Sequence, residues 1–540
     1  MKQLLLLVVT AVTCLALFHL YLQPEFPYTH DGENHLARFA NYKIALREGQ
    51  FPPRFAPNLM NHYGYPVFNF NYPLANILSL PFSILGVSYE TTFKLLVVAS
   101  VLFGALGVWQ LTKSFKASRV TRWLSVIFWL LQPFLVSTIY FRGNIGEVMA
   151  VSLLPWLIWS SFSLAPSRWL FRVIILTAFL LSHNISAVIG SGIYLALSLV
   201  CHYPSKQKLL TAVTTFVWAV ALSLWFWLPA VLESSSVVVS ATSLVENFSQ
   251  HFVSLSQLLW SPLRFGFSYP GGVDSLSFAL GLPAVLLVLV SPPLLFTSQR
   301  KTTIFPVLLL LVFAWLSILG QLSFSQPLWD AVPALRLLQF PWRLNLFTTA
   351  LLLPSLVYIL QRSQLITRLV LILLVMQVVV VARLSPADYF HKSNVDYDVF
   401  SQSTSTQNEN RTKEFTYDQI ADWQPTPTLF DPAAGTVTVR SWNGSARQYE
   451  LVLRNQTTVL EPTMNFPGWE TKIVQNGITR KATYVQSSEI AGRLAYVLSP
   501  GEYQVTSRFT QKTPSRLLGN TISLLAFGWL IFSAARKRYG

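Results

Sequence analysis

The sequence predicts a polytopic α-helical membrane protein with a C-terminal extracytoplasmic domain resembling a β-sandwich. Three observations lead there. Hydrophobic residues make up 52% of the chain and charged residues only 11%, where a soluble domain carries about 25% charged. Long apolar runs recur, many close to the ~20 residues that a helix needs to cross a bilayer. Between residues 385 and 514 those runs stop, and short alternating stretches replace them.

About twelve runs are candidate spans: 4–22, 91–112, 123–140, 147–164, 169–184, 185–202, 209–230, 276–297, 303–321, 344–361, 367–384 and 517–535. The first follows Lys2, and no small-x-small pattern closes it. It reads as an uncleaved span rather than a signal peptide.

Positive charge on short loops sets orientation. Lys113, Lys116, Arg119 and Arg122 form the richest group. Arg168 with Arg172, Lys206 with Lys208, Arg300 with Lys301, Arg362 with Arg368, and Arg536-Lys537-Arg538 follow. With these spans all of them fall on one side, which places both termini in the cytoplasm of a plasma-membrane protein. The apolar segment 73–87 is short and contains Pro81. Counting it as a span would reverse every later loop, so it is assigned to a helix at the outer interface.

The organisation that follows is a transmembrane module, 1–384, whose first outer loop is 23–90. An outer β-rich domain, 385–514, comes next, and a last span with a basic tail fills 515–540. Alternation at Thr436-Val437-Thr438-Val439 and from Gln448 to Leu453, with turns at Asn443-Gly444, Pro467-Gly468, Asn476-Gly477 and Pro500-Gly501, marks the strands. The stretch 400–430 reads as an irregular connection.

The basic excess of +16 is scattered between apolar runs, which does not favour nucleic acid. Cys14 and Cys201 both lie in apolar runs and build neither a disulfide framework nor a zinc site. No phosphate-binding glycine loop, GxSxG elbow, HExxH or CxxC is present, against ATP-driven, serine-hydrolase and common zinc chemistry.

Chemistry concentrates just after the first span. His30, Asp31, Glu33, His35 and Arg38 fall within nine residues, at the head of an amphipathic helix. Asp31 suits either a helix cap or a general base, which must be ionised and close to a hydroxyl. Glu33 suits a solvated helix face or a partner in that chemistry. A divalent ion on oxygen ligands stays open, although the spacing matches no common metal motif. Further on, Arg54 suits a phosphate or an interfacial anchor. Arg142 and Glu147 flank a tight outer turn, where ionisable groups at membrane depth are costly and often functional. They suit a structural pair equally well. His183 sits at the outer end of a helix pair. Arg336 and Arg343 lie near the outer end of a later span and suit a phosphate clamp or membrane anchoring.

The stretch HDGENHLARFANYKIALREGQFPPRFAPN (30–58), then GYPVFNFNYPL (64–74), resembles the membrane protein family described as 6-pyruvoyl-tetrahydropterin synthase related. Arg142-Gly143 with Glu147, Leu154-Pro155-Trp156, Ser182-His183-Asn184, Phe340-Pro341-Trp342-Arg343, Phe466-Pro467-Gly468-Trp469 and Thr513-Pro514-Ser515-Arg516 share in the likeness. No soluble pterin enzyme is implied. That family is similar in layout to GT-C glycosyltransferases, which use a polyprenyl-phosphate sugar donor. The resemblance implies transfer of a sugar to an acceptor hydroxyl on the outer side of the membrane. The acceptor would be a glycan, a lipid or a cell-wall polymer. Asp31 matches the first-loop carboxylate that serves as base. Arg54, Arg142, Arg336 or Arg343 would face the leaving phosphate, Glu33, Glu147 and His183 would position groups, and His35 and Arg38 would contact substrate. The WWD pattern of oligosaccharyltransferases is absent, so protein N-glycosylation is not implied. The alternatives are a flippase or transporter of lipid-linked glycans and a non-catalytic scaffold for envelope assembly.

Overall fold

The chain is described from a computed structural model covering residues 2–238, 246–270, 274–296, 301–416 and 423–539. Arg300 and the side chains of Lys301 and Arg536-Lys537-Arg538, all orientation signals in the sequence, lie outside the described residues, as do the side chain of Lys2 and parts of the 233–274 and 400–430 connections. Two compact units emerge. One comprises 1–33, 90–220 and 243–391, and the other 34–89, 221–242 and 392–540.

Among the described residues seven helices are long and apolar enough to cross a membrane: Tyr89–Ser114, Ile145–Phe162, Asn184–His202, Lys206–Ser236, Pro341–Leu360, Gln364–Ala382 and Pro514–Ser533. An eighth arises if Arg119–Leu130 and Pro133–Arg142, bent by 42°, count as one span. The expected count of about twelve is not confirmed. Hydropathy records composition and not where a helix breaks. The expected span 169–184 forms the helix Trp169–Ser182, only 14 residues long, and the chain turns near the expected boundary, at the extended His183 (φ −160°, ψ 123°). The runs at 4–22, 276–297 and 303–321 contain the shorter helices Leu6–Leu22, Leu282–Pro293 and Phe305–Leu319. The segment 73–87 forms Leu74–Ile84, with Pro81 inside. Its 11 residues rise only ~16 Å, well short of a ~30 Å hydrocarbon core.

In the first unit Ile145–Phe162 and Asn345–Leu360 are each buried along nearly their whole length. Trp169–Ser182 and Asn184–His202 pack on the former, and Lys301–Leu319 and Leu282–Phe296 on the latter. Such all-round apolar helices belong in the middle of a bundle. Arg172, expected to mark a loop, is instead fully buried. Its guanidinium donates to the carbonyls of Ser163 and Ala165, where the Coulombic signal used for topology is spent on local backbone. A short antiparallel ladder joins β1 (Phe26–Pro27) to β2 (Tyr389–Phe390). Lys94 Nζ donates to the carbonyls of Gln23, Pro24 and Glu25 at 2.7–3.0 Å.

The second unit holds the remaining strands: β3 (Thr428–Leu429), β4 (Gly435–Trp442), β5 (Ala446–Leu453), β6 (Thr457–Met464), β7 (Trp469–Gln475), β8 (Ile478–Lys481), β9 (Arg493–Leu498) and β10 (Gly501–Phe509). They form a five-stranded sheet, β4-β5-β10-β7-β8, and a three-stranded sheet, β3-β6-β9. Burial alternates along β5 and β10, as one-sided packing requires. Tyr449, Leu451, Val459, Tyr496 and Val505 join the core. Buried within it, Arg447 pairs with Glu461 at 3.0 Å and lies between the Trp442 and Trp469 rings, 4.4 Å from each. Phe55, Tyr63 and Phe68 pack in one apolar cluster with Phe466 and Trp469, so residues 34–89 share a core with the sheet residues.

A carboxylate anchors this unit. Glu233 accepts from Arg516 Nη2 at 2.8 Å and Nε at 3.1 Å, from Thr513 Oγ1, from Ser515 Oγ and from Asn69 Nδ2. Removing one partner of such a buried pair strands the other charge and costs about 3–5 kcal/mol. Glu233→Ala is therefore expected to lower the melting temperature sharply, while Glu233→Gln, which keeps the acceptor oxygen, falls between it and wild type. A thermal melt of the purified chain checks this.

Candidate active site

The first ionisable cluster is set by close backbone approach. Gly143 lies in the left-handed region at φ 61°. A Cβ there would collide with Thr29 Oγ1 and come within 2.9 Å of the Gly32 nitrogen. Gly32 is confined in the same way by Thr29 and Phe26, and its N–H donates to Thr29 Oγ1 at 3.0 Å. The two glycines thus let the 28–32 segment lie against the turn after the π-helical Thr138–Arg142. His30 N–H donates to the Phe141 carbonyl at 3.0 Å and Asp31 N–H to that of Arg142 at 2.8 Å. Gly143→Ala is expected to cost at least the ~1–2 kcal/mol of a left-handed L-residue plus the clash, read as a lower melting temperature.

Asn144 caps the helix Ile145–Phe162, its Oδ1 accepting from Glu147 N–H at 3.0 Å, as an amide at this position should. Its Nδ2 donates to Asp31 Oδ2 at 3.3 Å. One amide therefore joins the half-buried Asp31 carboxylate to the turn that carries Glu147.

Glu147 is fully buried. Arg142 forks onto it, Nη1 to Oε2 and Nη2 to Oε1, the latter at 2.8 Å. Arg343 Nε lies 3.3 Å and His183 Nε2 3.7 Å from Glu147 Oε1. His183 Nδ1 meets Ser186 Oγ at 2.8 Å. The Arg142 guanidinium lies over the Trp342 ring at 4.7 Å, and Arg343 over Phe340 at 5.0 Å. Two guanidinium charges against one carboxylate leave an excess of one positive charge beside Asp31. Such a cluster, partly desolvated and walled by aromatic rings, suits a phosphate or another oxyanion.

His30 stacks on Phe267, centroids 4.5 Å apart and planes 13° apart, and meets Phe265 edge-on. Burial holds its imidazole below the usual histidine range, against the pull of the neighbouring Asp31 carboxylate.

Asp31, Arg142, Glu147, His183 and Arg343 are thus brought together. Arg336 is not part of the cluster; its guanidinium pairs with Asp330 at 3.2 Å and lies over Phe248, a local ion pair at the start of another loop. Glu33 occupies the first turn of helix Gly32–Arg47 and is half-buried.

His35, Arg38 and Arg54 belong to the second unit. His35 is buried, with Tyr72 Oη 3.5 Å from its Nε2. Arg38 donates to the Thr404 hydroxyl at 3.2 Å and to its carbonyl. Arg54 is fully buried against the Trp225 carbonyl, Asn520 and Gln511. Burial, with Arg516 nearby, pushes its guanidinium down to about 9. These side chains are engaged in packing their own unit.

Among the described residues no group of three or more His, Cys, Asp or Glu side chains is placed to hold a metal ion. Sequence reasoning overlooked Asn144 as a bridge and Trp342 as the floor beneath Arg142. The signal for Asn144 was present, an amide immediately before an apolar helix.

Comparison with known proteins places these observations in a family. The model of the 6-pyruvoyl-tetrahydropterin synthase related domain, a membrane protein, matches residues 68–389, more than half of the chain. The matched segment contains Arg142, Glu147, His183, Arg336 and Arg343; Asp31 precedes it. No curated protein matches. Among solved structures the chain is similar to the arabinofuranosyltransferase AftD from Mycobacteria, at 16% identity and a TM-score of 0.44, over 71% of this chain and 26% of that one. It is also similar to the oligosaccharyltransferase AglB from Archaeoglobus fulgidus, solved with an inhibitory peptide and a dolichol-phosphate, at 12% identity and a TM-score of 0.41, over 74% of this chain and 56% of that one. The chain therefore spans about a quarter of AftD and just over half of AglB. In agreement with the motifs read from its sequence, the chain belongs to the 6-pyruvoyl-tetrahydropterin synthase related family of membrane proteins.

Proposed function

We propose that this protein transfers a sugar from a polyprenyl-phosphate donor to an acceptor hydroxyl on the outer side of the plasma membrane. The observation that carries the reading is the half-buried Asp31 carboxylate, joined through Asn144 to a cluster with one excess positive charge. The acceptor O–H gives its proton to Asp31 as its oxygen bonds the anomeric carbon. The bond from that carbon to the phosphate oxygen breaks, and the electron pair leaves with the phosphate. Arg343, with Arg142 behind it, stabilises the charge that develops there. Glu147 orients both guanidiniums, and His183 and Glu33 position neighbouring groups. In this reading the shorter apolar helices also cross the bilayer, for about twelve spans. Both termini are cytoplasmic, and the β-domain lies outside.

The test uses purified chain in proteoliposomes, polyprenyl-phosphate-linked sugars and a set of hydroxyl acceptors. Glycosylated acceptor is the expected product. Donor carried intact across the bilayer with no glycosylated product would replace this reading with a lipid-linked glycan transporter.

A further inference from the structure

The segment Phe265-Gly266-Phe267-Ser268-Tyr269 places an aromatic ring at every second residue, a spacing that puts them on one side of an extended chain. The Phe265 and Phe267 rings are 5.5 Å apart, and those of Phe267 and Tyr269 5.9 Å. Tyr28 adds a ring 5.8 Å from Phe265, and His30 stacks on Phe267 and meets Phe265 edge-on. This ladder keeps much of its surface open, since Tyr28 is 45%, Phe267 43% and Tyr269 46% exposed. Nothing in the chemistry of the Glu147 cluster uses it.

The ladder is held firmly. Phe267 N–H donates to Ser275 Oγ and Tyr269 N–H to Asp274 Oδ1, each at 2.9 Å. Gln257 Nε2 donates to the other Asp274 oxygen at 2.9 Å. Gly266 lets the returning limb approach, since a Cβ there would collide with the Ser275 backbone. Between the rings, Ser268 Oγ accepts from Trp342 Nε1 at 3.2 Å and meets His251 Nδ1 at 3.0 Å. Trp342 is the same ring that lies under Arg142. The rigid path from the cationic cluster to the ladder is thus one side chain long, and the ladder reaches the proposed base through His30.

We infer that this ladder is the acceptor subsite, and that its ligand is a neutral saccharide chain whose C–H faces stack on Tyr28, Phe267 and Tyr269 while a hydroxyl reaches Asp31. Exposed rings next to the half-buried Asp31 carboxylate match a sugar, which offers an apolar face and a polar rim on each ring. An acyl chain would leave the half-buried Asp31 carboxylate facing hydrocarbon, where polar groups are costly. Anchoring at the membrane interface explains exposed aromatics, but not their stacking on a histidine next to a carboxylate. The assignment rests on the transfer reading only for the role of Asp31; the binding surface stands independently of it.

The test is equilibrium binding to full-length protein in lipid nanodiscs free of sugar-headed detergent. The probes are malto-, cello-, xylo- and mannotetraose, followed by ligand-observed NMR. At least one is expected to bind saturably. Tyr269→Leu and Phe267→Leu, which keep apolar bulk and remove the ring, are each expected to weaken it about tenfold, the equivalent of ~1.4 kcal/mol. Phe267→Tyr is expected to retain it, and because binding is read without a donor present, the result stands apart from whether transfer occurs. Because Tyr269 is about half exposed, its variant reports on the ladder even if Phe267→Leu misfolds. No saturable binding of any probe, or binding indifferent to the leucine variants, overturns the inference. So does a change in lipid association of those variants without a change in saccharide binding.

Discussion

Asp31→Asn is expected to lower the rate of sugar transfer by about 10²–10⁴-fold, the range attributed to a positioned general base, without loosening the fold. The asymmetry comes from the geometry. The backbone N–H of Asp31 is held by the Arg142 carbonyl, and an amide in place of the carboxylate keeps the side chain's size and an oxygen for Asn144 to approach. What disappears is a site that can take the acceptor proton. Initial rates with saturating donor and acceptor, alongside a thermal melt, check both halves. An unchanged rate removes Asp31 from the chemistry; a collapsed melting temperature assigns it to structure.

Glu147→Ala is expected to act in the opposite way, destabilising the chain by about 3–5 kcal/mol, because removing one partner of a buried pair leaves an uncompensated charge. Here two guanidiniums are left, Arg142 and Arg343, in a site whose carboxylate is wholly buried. The double variant Glu147→Ala, Arg343→Ala should be less destabilised than the sum of its single variants, since residues that share a network are not additive. Denaturant or thermal unfolding of the four proteins completes the cycle. Additive losses would mean that Arg343 and Glu147 do not interact.

Much of the site was legible in the sequence because ionisable residues are rare in this chain and therefore conspicuous. Asp31, Arg142, Glu147, His183 and Arg343 stood out beside apolar runs, and the fold gathers those five. Arg336 and Arg54 stood out by the same criterion and have different fates, because residue type does not show which neighbour reaches a guanidinium first. Arg336 finds Asp330 six residues away, and Arg54 finds backbone and amides of its own unit. Asn144 was hard to single out because its two contacts join segments more than a hundred residues apart. The alternation in β4 and β5 was legible as strand, since burial on one face imposes a period of two. The number of membrane-crossing helices was not, because mean hydropathy does not show how much of an apolar run is helical, and runs such as 276–297 and 303–321 form the shorter helices Leu282–Pro293 and Phe305–Leu319. The aromatic ladder went unnoticed because it spans five residues of a loop and carries no charge.

In the proposed reaction the lipid-linked phosphate sits in the cationic cluster beside Asp31. Photo-crosslinking tests it most directly, using a polyprenyl phosphate with a diazirine on its first isoprene unit, full-length protein in lipid, and mass-spectrometric mapping. Adducts are expected on residues 340–344 and 140–147, and are expected to be lost in Arg343→Gln at equal protein folding. Adducts confined to other segments, or labelling of these two that is indifferent to Arg343→Gln, would contradict it.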